Sequence, residues 1–72
     1  VAYETEQSRA QLAILQADLA AFEREHGMSS NLFYERFVAG QMDDRMDYVE
    51  WASLFQMARN LKERLRVLGS MQ

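Results

Sequence analysis

Cysteine and proline are both missing from this chain, while histidine and glycine are scarce, with one and three copies. Without cysteine there is no disulfide, and cysteine usage says nothing about redox compartment. One histidine and no cysteine leave no zinc site built from those two ligands. No window approaches the 18 or so consecutive apolar residues of a transmembrane helix, so no membrane partner is expected. Residues 1–9 carry Glu4 and Glu6 and no basic segment, so no secretory signal is visible. There is no glycine-rich loop to cradle a phosphate. The lone His26 has no evident serine partner, which leaves nucleophilic catalysis without a candidate. The expectation is a protein that is not an enzyme, with no catalytic residue and no cofactor.

What is present is short and apolar. At 72 residues the chain is one domain, near the lower limit at which a single core stabilises itself. With disulfides and zinc excluded, the remaining aid is association, and a hydrophobic fraction of 49% supports it. The net charge is −3, which argues against direct contact with nucleic acid, because that contact rests on clustered Lys and Arg. The balance is uneven. Glu23, Glu25, Glu35, Asp43, Asp44, Asp47 and Glu50 face only three arginines in the same stretch, whereas Arg59, Lys62, Arg64 and Arg66 surround Glu63 alone. Acids at a helix start and bases at a helix end explain part of this; an acidic middle that meets a basic partner explains the rest.

The stretch from Asp43 to Leu68 organises the chain. Trp51, Leu54, Ala58, Leu61, Leu65 and Leu68 recur at spacings of three and four, the apolar stripe of a helix packed along another helix. Asp47 with Glu50 three residues on forms a capping box, so this helix is expected over about 47–68, closed by Gly69. A second long helix is expected over about 1–25: it is rich in alanine and places Leu12, Leu15, Leu19 and Phe22 at the same spacing. Gly27 supplies its C-cap. Ser29 or Ser30 can cap a short helix over about 31–39, which Gly40 closes.

The predicted fold is therefore all-α: a helical hairpin of two long helices with a short bridging helix, dimerising into a helical bundle. Phe22, Phe33, Tyr34, Phe37, Tyr48, Trp51 and Phe55 gather at the bridged end and predict an aromatic core there. Leu12, Leu15, Leu19, Leu61, Leu65 and Leu68 are the expected seam of a homodimer.

Glu23 and His26 have the Glu-x-x-His spacing of di-iron bundles, and Glu50 offers another carboxylate. Those bundles place the motif in mid-helix. Here it lies in the last turn beside glycine, where a histidine commonly satisfies terminal carbonyls. The cluster Asp43, Asp44, Asp47, Glu50 lacks the spacing and glycine of a calcium loop. No metal is expected at either. Tyr34, Arg36, Tyr48 and Trp51 are residue types that anchor interfaces. Together with Asp43, Asp44 and Asp47 they form the candidate partner-binding set.

From Glu25 to Leu68 the sequence resembles small helical antitoxin components of prokaryotic toxin–antitoxin modules. The features that carry the resemblance are Gly27-Met28-Ser29-Ser30, Phe33-Tyr34-Glu35-Arg36-Phe37, Gly40, and Asp44 through Asp47-Tyr48 to Glu50-Trp51. Asn31-Leu32 departs from it, since such sequences more often carry acidic residues there. The resemblance implies a cytoplasmic protein that masks a small basic toxin, often a ribonuclease. The alternatives are a structural or regulatory homodimer with another protein client and, from a different class, a carboxylate–histidine metal bundle.

Overall fold

Helix α1 spans Ala2–His26, α2 Ser30–Val38 and α3 Met46–Ser70. The computed structural model describes the backbone of residues 2–70 and the side chains of residues 6–67. No strand occurs among the described residues. The all-α hairpin with a short bridging helix is the fold.

Each helix end has a local cause. The Gly27 and Met28 amides both donate to the Glu23 carbonyl, at 2.8 and 3.3 Å, around a glycine at φ +64°. A side chain there would be strained, so Gly27 ends α1 at little cost. Ser29 takes the N-cap of α2, its hydroxyl accepting from the Leu32 amide at 3.2 Å. At the far end the Gln41 amide reaches the Arg36 carbonyl at 2.9 Å and the Gly40 amide reaches that of Phe37 at 3.1 Å. These two bonds are a Schellman closure with Gly40 at φ +76°.

The start of α3 differs from the expected capping box. The Val49 amide bonds to the Arg45 carbonyl at 2.9 Å, so the helix is entered at Arg45. Asp47 therefore lies inside the first turn. Its carboxylate accepts from the Tyr48 amide at 3.0 Å and pairs with Arg45 at 3.1 Å, while Glu50 is exposed and makes no return bond. The acid still suits the positive end of the helix dipole. Gly69 does not close α3 either. The helix runs through it to Ser70, because a lone glycine weakens a helix without terminating it.

The long helices run antiparallel. His26 at the end of α1 meets Asp47 and Tyr48 at the start of α3, while Leu12 and Leu61 pack on the other side of the core. Leu15, Leu19, Phe33, Trp51, Ala52 and Ala58 form that core. Phe33 and Trp51 are fully buried and lie face to face, ring centroids 3.9 Å apart and 4° from parallel. Phe22 stacks on Trp51 at 5.5 Å, and Phe33 also meets Phe37 and Tyr48 at 5.5 Å each. Burial of each of the two largest side chains contributes up to about 3 kcal/mol.

Two residues of the expected dimer seam are buried within one chain, and three are partly so. Leu15 and Leu19 are 4% and 8% exposed, and Leu12 and Leu61 pack against the same cluster. Leu65 is half-buried, and the Leu68 side chain lies outside the described residues. The three–four stripe is what closes the hairpin on itself. A stripe identifies a helix that packs but does not identify its partner.

Candidate functional site

Where α1, α2 and α3 meet, a short polar chain threads the aromatic core. The Trp51 indole Nε1–H donates to the Ser30 hydroxyl at 2.9 Å, and Ser30 is 4% exposed. The Ser30 amide in turn donates to the Glu23 carboxylate at 2.9 Å. Glu23 on α1 thus satisfies a free amide at the start of α2, seven residues on, beside the Ser29 cap. The Ser30 amide and hydroxyl oxygen both have partners, which offsets much of the cost of burying them. Indole, hydroxyl, amide and carboxylate pin all three helices at one point.

His26 sits beside this point. Its ring stacks on Trp51 at 5.2 Å and on Phe22 at 6.3 Å, and meets Tyr48 edge-on at 5.4 Å. Nε2 is buried with no hydrogen-bond partner; the Glu25 and Asp47 carboxylates each lie 3.8 Å away. The helix-end role expected for His26 is not what it does, since its ring is held by aromatic faces. Glu23 is engaged with Ser30, so the pair does not converge on one ligand. Among the described residues, no group of three or more His, Cys, Asp or Glu side chains is placed to hold a metal ion.

The seven candidate partner-binding residues fall into three groups. Trp51 is 0% exposed, so it supports the surface from beneath and touches no partner. Tyr34, Asp47 and Tyr48 are half-buried. The Tyr34 ring packs on Phe55 at 4.9 Å, its hydroxyl accepts from the Gln56 side-chain amide at 2.7 Å, and the Arg59 guanidinium lies 5.8 Å from its ring. Tyr34 therefore ties α2 to α3 before it can serve a partner. Tyr48 carries the Arg45 guanidinium over its ring at 4.8 Å, and Arg45 also holds Asp47. Arg36, Asp43 and Asp44 are exposed. Among the described residues, none forms an ion pair with Asp43 or Asp44. The structure brings Asp47, Tyr48 and Arg45 into one contact, and leaves Asp43 and Asp44 on the adjoining link and Arg36 in the last turn of α2.

Ser30, Glu23 and Arg45 carry much of this geometry, and sequence reasoning gave them no such roles. Serine pairs near a helix start show that a cap is present. They do not show that the second hydroxyl will turn inward to an indole 21 residues away. Comparison with known proteins finds no matching family model, no matching curated protein and no matching solved structure. Among the described residues, no helix is long and apolar enough to cross a membrane.

Proposed function

We propose that this chain is a non-enzymatic protein-binding module that acts, antitoxin-like, by covering a small basic protein in the cytoplasm. The observation that carries this reading is the acidic link between α2 and α3. Asp43 and Asp44 are exposed, unpaired among the described residues, and set in a stretch where seven acids face three arginines. Uncompensated charge of one sign steers an oppositely charged partner and chiefly raises the association rate. Behind the link, the Trp51–Ser30–Glu23 chain holds α2 and α3 in fixed relation, so little ordering is left to oppose binding. In this reading Asp43, Asp44 and Arg36 meet the partner first, with Asp47 and Tyr48 at the edge of the contact.

The test is co-expression with the product of the neighbouring gene, followed by pull-down and a growth assay. Asp43→Asn with Asp44→Asn is expected to slow association roughly three- to tenfold at low salt and to flatten its salt dependence. Arg36→Ala is expected to act mainly on dissociation. If the wild-type chain neither co-purifies with that product nor relieves toxicity, the antitoxin reading falls. A basic partner that binds without being toxic keeps the surface and removes the antitoxin role.

A further inference from the structure

We infer that the flank of the hairpin turned away from α2 pairs with a second copy of this chain, docked antiparallel about a twofold axis at Met57. The flank is located by helical geometry. The groove on the α2 side is lined by Gln16, Ala20 and Glu23 of α1 and by Phe55 and Lys62 of α3. At about 100° per residue, the opposite flank carries Ile14 on α1 and the stripe Glu50, Leu54, Met57, Leu61, Arg64 on α3. Ile14 is 63% exposed and Met57 44%. Leu54 and Leu61 touch the core on one side and stay half-exposed on the other, and Glu50 and Arg64 are exposed.

The order of that stripe selects the occupant. Read along α3 it runs acid, leucine, methionine, leucine, base, at spacings of four, three, four and three. Inverted about Met57, Glu50 and Arg64 exchange places, and Leu54 and Leu61, three and four residues from the centre, come within one residue of each other's level, about 1.5 Å along the axis. Glu50 then faces the partner's Arg64, Leu54 faces the partner's Leu61, and Met57 meets its own copy. Glu50 and Arg64 each lie seven residues from Met57, about 10.5 Å along the axis, so both ion pairs form together. A twofold interface requires this reciprocity. Parallel docking would set Glu50 over Glu50 and Arg64 over Arg64, and charges flanking an apolar seam decide between such arrangements. Asp43 and Asp44 take no part, so this pairing stands or falls separately from the binding function proposed above.

Sedimentation equilibrium at 1–100 µM (roughly the range in which a small surface with few ion pairs self-associates) tests it. The wild-type chain is expected to dimerise. Glu50→Arg or Arg64→Glu alone is expected to weaken the dimer roughly tenfold, each change breaking two symmetric pairs. The chain carrying both reversals is expected to recover wild-type affinity. Since the chain has no cysteine, Glu50→Cys and Arg64→Cys report geometry directly. Oxidising a mixture of the two is expected to give the mixed disulfide, and each alone little. Both positions changed are exposed, and circular dichroism checks that each variant is folded. A wild-type monomer at 100 µM, a double reversal that fails to recover, or cysteine variants that cross-link only with themselves would each overturn the inference.

Discussion

The two ends of this hairpin are built from helices of equal length, and they are held very differently. At the bridged end, Phe33 and Trp51 are fully buried, Phe22 and His26 stack on the indole, and Ser30 and Glu23 give the indole N–H and the Ser30 amide their partners. At the open end, Leu12, Leu61 and Leu65 are half-buried against one another's helices with no third element above them. There Arg66 bonds to Glu63, one turn apart on the same helix and exposed. Length supplies helical hydrogen bonds at both ends equally. Only the bridging helix α2 adds a third element over the core, and stability follows burial.

The sharpest way to break the contrast is Trp51→Ala. It removes the stacking partner of Phe22, Phe33 and His26, and a cost of about 3–5 kcal/mol is expected in urea unfolding. For a 72-residue domain that is a large share of total stability. A loss below about 1 kcal/mol would mean that the indole is not core. Next in size is a pair of like changes at the two ends. Leu19→Ala is expected to cost about 2–4 kcal/mol and Leu65→Ala about 1, because only the first leaves a cavity that cannot fill with solvent. Equal losses would erase the distinction between the ends.

Ser30→Ala comes third, at about 1–3 kcal/mol, since it strands the buried Trp51 Nε1–H. In a Trp51→Phe background, where no donor is left to strand, the same change is expected to cost well under half as much. A double-mutant cycle measures that coupling. The smallest effect belongs to the open end. The hydrogen bond from Arg66, reinforced by its charge, holds the Glu63 carboxyl below the ordinary glutamate range. A group whose folded value is depressed stabilises above its unfolded value, and loses that contribution as pH falls through the folded one. Carboxyl NMR titration should therefore place Glu63 below the ordinary glutamate range and return it to that range in Arg66→Gln. The pair is fully exposed, so urea midpoints at pH 7 with and without the change should nearly coincide.

The fold was largely legible because each helix carries its own period and its own stops: Gly27 and Gly40 turn left-handed where a helix must end, and Ser29 caps where one must begin. Gly69 was misread for the same reason, since composition names a possible stop and only tertiary context decides whether the chain uses it. The aromatic end was legible in membership but not in orientation. Trp51 and Tyr48 are three residues apart and equally suited to an interface, yet one is sealed under α2 and the other half-open. The leucine stripe was legible as a seam, but periodicity cannot distinguish a neighbour in the same chain from a second copy. Least legible was the Glu23–Ser30–Trp51 chain. Its members are seven and 21 residues apart, and their pairing is a product of the closed hairpin.

Trp51 is the only tryptophan in the chain, and its placement makes the molecule report on itself by light. An indole buried against Phe33 and hydrogen-bonded to Ser30 emits at shorter wavelength than one in water, so its emission follows the bridged end alone. Far-ultraviolet ellipticity sums both ends. On heating, ellipticity should begin to fall while the emission maximum is still unmoved. The temperature gap between the two signals then measures how loosely the open end is coupled to the other, without a label or a substitution.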